Sequence, residues 1–137
     1  PIVMHGADIR LLAGANMARP GGNATGIALN TVESELKRAE FAAELTPDAP
    51  AIGALFYRGT AGQAERTQAM RAAATQAGKR LAVFEIATAA GFPVALAGMR
   101  AEGIRAVVLA GTPETLNDIA TLAPAARAAG IASICLW

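Results

Sequence analysis

Three short segments of this 137-residue chain carry a threonine shortly after an apolar, strand-like run. They are Tyr57-Arg58-Gly59-Thr60, Ala87-Thr88 and Gly111-Thr112-Pro113. A threonine hydroxyl near a helix N-terminus, together with the free backbone N–H groups and the helix dipole, favours an anionic group such as a carboxylate. Arg58 adds a positively charged guanidinium that can donate two hydrogen bonds to one carboxylate, and Tyr57 adds a flat amphipathic ring. These residue types predict a site for a small anionic or zwitterionic molecule.

Each of these residues also has a simpler structural interpretation. A threonine before a helix is a common N-cap that needs no ligand. Tyr57 could pack at the end of its strand, and Arg58 could be a solvated charge of a loop. From the residues alone, both interpretations stay open.

The chain offers little for catalysis or metal binding. His5 is the only histidine and Cys135 the only cysteine, which excludes an internal disulfide and leaves too few ligands for structural zinc. Ser34 and Ser133 lack the G-x-S-x-G context of a hydrolase nucleophile. Cys135 lies in an apolar run, which predicts a buried, inert thiol. We therefore expect no enzymatic activity, no metal and no cofactor.

Composition and charge exclude further classes of function. Hydrophobic residues make up 53% and charged residues 17% of the chain, which is typical of a globular domain. No apolar run approaches the roughly 20 residues of a membrane helix. The net charge is +1 with acidic and basic residues interspersed, so we expect no nucleic-acid partner.

The candidate residues must be positioned by alternating strands and helices. Apolar runs predict four strands, at Ala51–Tyr57, Leu81–Ile86, Arg105–Ala110 and Ile131–Leu136. Helical spacing between them gives apolar stripes at Phe92-Leu96-Met99 and at Leu116-Ile119-Ala123-Ala126. One helix between each pair of strands is the rhythm of a parallel sheet covered on both faces. Ligands of such sheets bind outside the carboxyl ends of the strands, where the three threonine segments lie.

Glycine and proline mark the ends of the predicted helices. Gly78, Gly103 and Gly130 each follow a helical segment and precede a strand, as expected of left-handed C-caps. Thr112-Pro113 predicts an N-cap followed by a proline at the first helical position. Pro124 lies inside the last helical stripe, and we expect it to kink or split that helix.

The segment NMARPGGNATGIAL, residues 16–29, concentrates proline and glycine between a helix-like run, Ile9–Met17, and a strand-like run, Gly26–Leu29. A phosphate loop would follow a strand and open a helix, so this order excludes one. Proline and paired glycines favour a sharp turn, and Asn23 and Thr25 can hydrogen-bond to the nearby backbone. The segment therefore predicts a crossing from one packed body into another.

The motif ARPGGNATG resembles the crossover of the periplasmic substrate-binding proteins of ABC transporters. It is most similar to the ARPGGN-x-TG branch, which includes tryptophan- and tyrosine-type binding components. The resemblance extends over essentially the whole chain, through LKRAEFAAELTPDAPAIGALF, AAATQAGKRLAVFEI and GIRAVVLAGTPETLNDIATLAPAARAAGIASICL. It implies an α/β fold, a Rossmann-like three-layer sandwich with a mostly parallel sheet, as in one lobe of a type I periplasmic binding protein. Residues 1–19 would end the first lobe and form a connecting helix, residues 20–26 would be a hinge crossing, and residues 27–137 a second lobe, incomplete at its C-terminus.

The resemblance implies a solute-binding component of an ABC transporter, located in the periplasm. Such a protein closes two lobes on a small ligand, here expected to bear a carboxylate and to be amino acid-like, and then contacts a membrane permease. The implied ligand-binding residues are Tyr57, Arg58, Thr60, Thr88, Thr112, Pro113 and, from the first lobe, Asp8. The implied hinge residues are Pro20, Gly21, Gly22, Asn23, Thr25 and Gly26. A homodimer of the isolated lobe is a further expectation, because a missing neighbour would leave apolar surface uncovered.

Two departures from the family pattern bear on the ligand. The family usually has Asn-Pro after the first strand of this lobe, where this chain has Tyr57-Arg58-Gly59. It often has Gly-Asp-Pro after the preceding strand, where this chain has His5-Gly6-Ala7-Asp8. Both places face the ligand, so the departures leave open whether the ligand is an aromatic amino acid. Two other functions stay open: an effector-binding domain of a transcription regulator, and an orphan α/β lobe without a transport role.

Overall fold

The computed structural model describes residues 2–6, 24–28 and 31–136 of the chain. The chain separates into two compact units, Pro1–Thr31 and Val32–Trp137. In the first unit, strand β1 (Ile2–Gly6) pairs in parallel with strand β2 (Ala24–Ala28). The strand expected at Gly26–Leu29 is confirmed by β2, which begins two residues earlier and ends at Ala28.

The predicted hinge falls partly on described residues. Thr25 and Gly26 lie in β2, opposite Val3 and Met4 of β1. The other predictions for this region fall on residues that the structure does not describe: Asp8, Pro20, Gly21, Gly22, Asn23 and the helix at Ile9–Met17. The hinge and the division into lobes stay predictions.

From residue 31 onward, helices and strands alternate, as the apolar runs predict. The elements are α1 (Thr31–Leu45), β3 (Ala51–Tyr57), α2 (Gln63–Gln76), β4 (Arg80–Ile86), α3 (Phe92–Ala101), β5 (Ala106–Leu109), α4 (Pro113–Ala128) and β6 (Ala132–Ile134). A short 3₁₀ turn, Ala89–Gly91, precedes α3. None of the helices in the described ranges is both long enough and apolar enough to span a membrane.

Strands β3 to β6 form one parallel sheet in the order β4-β3-β5-β6. The chain passes from β3 to its neighbour β4 on one side, then crosses over β3 to reach β5 on the other side. The direction of winding therefore reverses between β3 and β5, where Leu55 lies opposite Leu109. This reversal is the topological switch point of the sheet.

Helices cover both faces of the sheet, because successive strand side chains point to opposite sides. On one face, Leu55 and Val107 pack in a core with the buried stripe of α3, Phe92, Leu96 and Met99. The opposite core joins the sheet to buried residues of α1 and α2: Ala39, Ala42, Ala43, Met70, Ala73 and Ala74 with Ile52, Phe56 and Val108. The expected three-layer α/β sandwich with a parallel sheet is thereby confirmed.

The helix ends follow the predicted signals, with one exception. Gly78, Gly103 and Gly130 have φ values of 69°, 73° and 67°, the left-handed backbone of a C-cap. The expected split of the last helix at Pro124 is wrong, because α4 continues from Pro113 to Ala128. Leu122 and Ala126 on either side of this proline are fully buried, so packing against the sheet holds the helix together.

Lys79 organises the edge of the sheet at the amino ends of the strands. Its Nζ donates to the carbonyl oxygens of Thr46 at 2.7 Å, Pro47 at 2.9 Å and Ala49 at 2.7 Å. These carbonyls belong to the turn between α1 and β3, and the three bonds use all three ammonium donors. One side chain therefore fixes the turn that leads into the central strand β3.

We expect Lys79→Met to lower the free energy of unfolding by about 1–2 kcal/mol, because three carbonyls lose a charged donor. Chemical denaturation of the chain measures this change. Lys37→Met is the matched control, since Lys37 is an exposed lysine whose ammonium donates to the side chain of Glu40 and to no backbone carbonyl among the described residues. An equal effect of both substitutions would contradict the role assigned to Lys79.

Candidate functional site

The predicted ligand-binding segments meet at the carboxyl edge of the sheet. The loops after β3 and β5 are adjacent, because Ala110 N donates to Leu55 O at 3.0 Å. The exit of β4 joins them, since Arg58 N donates to Ile86 O at 2.9 Å. The parallel sheet thus brings residues 57–60, 87–88 and 110–113 to one edge, at and beside the switch point.

The three threonines of this edge are placed differently. Thr112 is the N-cap of α4: its Oγ1 accepts a hydrogen bond from Thr115 N at 3.3 Å. The Thr60 hydroxyl donates to Tyr57 O at 2.7 Å. Thr88 is exposed and makes no side-chain capping bond to the 3₁₀ turn that follows. Thr60 and Thr112 thus fit the structural interpretation, and the ligand role of all three stays a prediction.

Arg58 and Pro113 are exposed at the same edge. The Arg58 guanidinium makes no hydrogen bond or ion pair with any residue that the structure describes. Gly59 follows it with a φ of 80°, which turns the loop sharply away from β3. Arg58 therefore offers, at the switch point, a guanidinium that none of the described residues engages.

Tyr57 turns into the core. Its side chain is 7% exposed, and its ring meets Phe92 edge to face with centroids 6.1 Å apart. The phenol hydroxyl donates to the Asp118 carboxylate of α4. Burial, and then the hydrogen bond to Asp118, raise the pKa of Tyr57. These contacts describe a packing residue, and a direct contact of Tyr57 with ligand stays a prediction.

Sequence reasoning missed a buried charge cluster beneath the β5 exit. The Glu35 carboxylate is 0% exposed and accepts two hydrogen bonds from Arg66, one of them from Nε at 2.8 Å. Its Oε1 also accepts from Gly111 N at 3.3 Å. Arg38 Nη1 donates to Leu109 O at 3.0 Å. Helix α1 thereby holds the backbone on both sides of Ala110, where the chain leaves β5 for α4.

The cluster carries more positive than negative charge. Two guanidinium groups, those of Arg38 and Arg66, face the single carboxylate of Glu35. Arg38 Nη2 lies 3.5 Å from Glu35 Oε1 and has no hydrogen-bond partner among the described residues. Burial lowers the pKa of Arg38, but an arginine stays protonated at neutral pH. The floor of the switch-point edge is therefore electropositive.

An apolar cavity of about 70 Å³ opens at the start of α4. It is lined by Gly111, Thr112, Thr115, Leu116, Ile119, Cys135 and Leu136. The predicted core stripe of α4 is confirmed at Ala126, which is fully buried, and is wrong at Leu116, which is 49% exposed, because the helix turns Thr115 and Leu122 to the core. The expectation of a buried thiol in a strand is also wrong, since β6 ends at Ile134 and Cys135 is half-buried.

Metal binding has no support in the part of the chain that the structure describes. No group of three histidine, cysteine, aspartate or glutamate side chains in residues 2–6, 24–28 and 31–136 could hold a metal ion. Among the described residues, this edge carries the Arg58 guanidinium, the hydroxyls of Thr60, Thr88 and Thr112, and the α4 carboxylates of Glu114 and Asp118.

We expect the phenol of Tyr57, the only tyrosine of this chain, to titrate above about 10, its ordinary pKa. Its phenolate absorbance during an alkaline titration measures this pKa directly. Asp118→Asn should lower the titration midpoint, because it removes the negative charge beside the phenol. A midpoint that Asp118→Asn leaves unchanged would contradict the Tyr57–Asp118 hydrogen bond.

The same pKa shift predicts a loss of stability at high pH. The folded state favours the neutral phenol, so its stabilising contribution is complete below about pH 10 and is lost as the pH rises through the folded pKa. Tyr57→Phe keeps the ring against Phe92 but should lower the free energy of unfolding at neutral pH by about 1 kcal/mol. It should also flatten the alkaline decline, which denaturation at neutral and alkaline pH would show.

We expect Glu35→Gln to lower the free energy of unfolding by about 3 kcal/mol or more, because it leaves two buried guanidinium groups without a counter-charge. Chemical denaturation measures the loss. Glu40→Gln, a partly exposed glutamate on the same helix that pairs only with Lys37, is the control and should change little. A wild-type stability for Glu35→Gln would show that the cluster does not stabilise the β5 exit.

Comparisons with known proteins give matches only at the level of structure. No family model matches the chain, and no curated protein matches it. An ABC domain from Streptococcus pneumoniae in complex with L-Trp superposes with a TM-score of 0.76 at 20% identity, over 98% of this chain and 45% of that one. A conserved domain protein from Vibrio cholerae gives a TM-score of 0.67 at 20% identity, over 86% of this chain and 39% of that one.

A third similar structure is a substrate-binding protein with adhesive properties from Clostridium difficile, in its ligand-free, open form. It gives a TM-score of 0.68 at 16% identity, over 94% of this chain and 43% of that one. This chain therefore spans less than half of each of the three structures. The likeness shows that the chain has the α/β fold found in parts of substrate-binding proteins.

Proposed function

We propose that this chain is part of a solute-binding component of an ABC transporter and forms one wall of a site for a small carboxylate-bearing molecule. The observation that carries the proposal is the unengaged Arg58 guanidinium at the switch point of a parallel sheet. Ligands of open α/β sheets bind outside the carboxyl ends of the strands at such a point. The substrate-binding fold of the similar structures supports the same conclusion.

The electrostatics of the edge suit a carboxylate. The Arg58 fork matches the two oxygens of a carboxylate, and the N-terminus of the 16-residue helix α4 opens beside the same loop pair. The buried cluster of Glu35, Arg38 and Arg66 adds positive charge beneath the β5 exit. Three sources of positive potential therefore lie at this edge, beside the Glu114 and Asp118 carboxylates of α4, and Thr88 adds an exposed hydroxyl.

The remaining site residues shape the edge in this proposal. Thr60 and Thr112 stabilise the loops after β3 and β5, and Pro113 begins α4. Tyr57, at the end of β3, fixes the start of the loop that follows through its contacts with Phe92 and Asp118. Asp8, outside the described residues, would contribute from the first lobe.

In a transporter, this edge would form half of the ligand contacts. A second lobe would supply the rest, and the ligand would stabilise the closed form only by its higher affinity for that form. A closed receptor in the periplasm would then present its surface to a membrane permease. The complex of a similar structure with L-Trp supports a small-molecule ligand.

The direct test is a titration of the full-length protein that contains this chain. The carboxylates isovalerate, phenylacetate, L-leucine and L-tryptophan form the panel, and isoamyl alcohol is the uncharged counterpart of isovalerate. We expect calorimetry to show binding of at least one carboxylate and no binding of isoamyl alcohol. The absence of binding by every carboxylate in the panel would contradict the proposed function.

We expect Arg58→Ala to weaken carboxylate binding by about tenfold or more, because a bidentate charged hydrogen bond is lost. Arg105→Ala is the matched control: Arg105 is also exposed but lies just before β5, at the opposite edge of the sheet. Calorimetry on both variants of the full-length protein compares the two edges. An equal loss of carboxylate affinity in both variants would show that the ligand does not bind at the carboxyl edge of the sheet.

The chain alone should bind these carboxylates weakly or not at all, because it supplies only one wall of the proposed site. Calorimetry on the 137-residue chain measures this. Micromolar binding by the isolated chain would contradict a site that is shared between two lobes.

A further inference from the structure

We infer that the apolar cavity at the start of α4 receives the aliphatic part of the ligand, so that the ligand is a carboxylate with a short branched aliphatic group. This inference rests on the proposed function and narrows its ligand class. Three properties of the cavity support this inference: its apolar lining, its position beside charged groups, and its volume.

The cavity walls are apolar on two sides. Leu116 and Ile119 line it from α4, and Cys135 and Leu136 line it from the segment after β6. Leu116 is half exposed although it is a large apolar residue on a helix that packs against the sheet. Burying a ligand's aliphatic group against these side chains would remove apolar surface from water.

The mouth of the cavity combines this apolar wall with positive potential. Gly111 and Thr112, which precede the first turn of α4, line the same cavity. Arg38 lies behind Gly111: a Cβ built on this glycine would be 3.8 Å from Arg38 Nη2. Arg38 is 6% exposed, and its Nη2 has no hydrogen-bond partner among the described residues. A carboxylate at the α4 N-terminus would thus lie near the Arg38 guanidinium, whose Nη2 has an open hydrogen-bonding position among the described residues, while its tail entered the cavity.

The volume limits the size of the tail. A cavity of about 150 Å³ holds benzene, whereas this cavity has about 70 Å³. With less than half of that volume, this cavity favours a branched group of about three or four carbons over an indole or a phenyl ring. We expect this chain to differ in ligand size from the similar structure that holds L-Trp.

The approach of Leu136 to the backbone at the cavity mouth requires a glycine at Gly111. A Cβ at this position would approach Leu136 Cδ2 to 3.1 Å, so a larger residue would displace Leu136, which lines the same cavity. The glycine therefore keeps open the corner where the charged mouth meets the apolar wall.

The test compares isovalerate with phenylacetate, two monocarboxylates that differ in the size of the tail. Calorimetry on the full-length protein should give at least tenfold tighter binding of isovalerate, since a misfit of a few carbons in an apolar pocket changes affinity by about that factor. Ile119→Ala enlarges the cavity and should shift the ratio of affinities towards phenylacetate by about tenfold. Leu116→Phe should narrow the cavity and weaken binding of isovalerate.

Val94→Ala is the control for Ile119→Ala, because Val94 is an exposed apolar residue on α3 and does not line the cavity. It should leave the ratio of affinities unchanged. Carboxylate binding with a ratio that Ile119→Ala does not shift would overturn the cavity assignment and leave the proposed function standing. If none of isovalerate, phenylacetate, L-leucine and L-tryptophan binds, both the cavity assignment and the proposed function are overturned.

Discussion

The candidate site depends on the hydrogen bonds and ion pairs of the buried Glu35 carboxylate. It joins three elements: it lies on α1, it pairs with Arg66 of α2, and it accepts the backbone N–H of Gly111 at the exit of β5. A carboxylate without water must be matched by donors, and Glu35 is matched by a bidentate arginine and a backbone amide. Removing it would leave two buried guanidinium groups and an unpaired amide at the switch point of the sheet.

This constraint explains why the edge is both rigid and electropositive. The Glu35 and Arg38 side chains hold the backbone on either side of Ala110, so the position of the α4 N-terminus is fixed from the opposite face of the sheet. The second guanidinium leaves a net positive charge that the described residues do not compensate. In the proposed function, this charge would favour an anion at the edge, because the anion would offset the desolvation of the buried cation.

Local signals of the sequence predicted the elements well. Apolar runs located β3 and β4 closely, and the left-handed glycines Gly78, Gly103 and Gly130 marked the helix ends, because each signal depends on a few neighbouring residues. The expectation for Pro124 failed because burial of Leu122 and Ala126 outweighs the local preference of proline. The stripe of α4 was misplaced at Leu116, since the helix rotation depends on how the sheet receives it.

The candidate site was predictable only in part. Parallel strands must bring their carboxyl ends together, so the convergence of the loops at Arg58, Thr88 and Thr112 follows from the alternation of elements. The hydrogen bond between Glu35 and Gly111 joins residues 76 positions apart, and no local pattern indicates it. Glu35 and Arg38 look like ordinary solvated charges on α1. The one signal was their place on the face that carries Ala39 and Ala42, where small side chains leave room for them.

The most direct test of the central claim is an NMR titration of the isotope-labelled full-length protein with isovalerate, which follows the backbone amides. The account predicts saturable shifts of the amide signals of Arg58, Gly111 and Thr112, at the carboxyl edge of the sheet. Shifts confined to other parts of the protein, with these three signals unmoved at saturation, would contradict it.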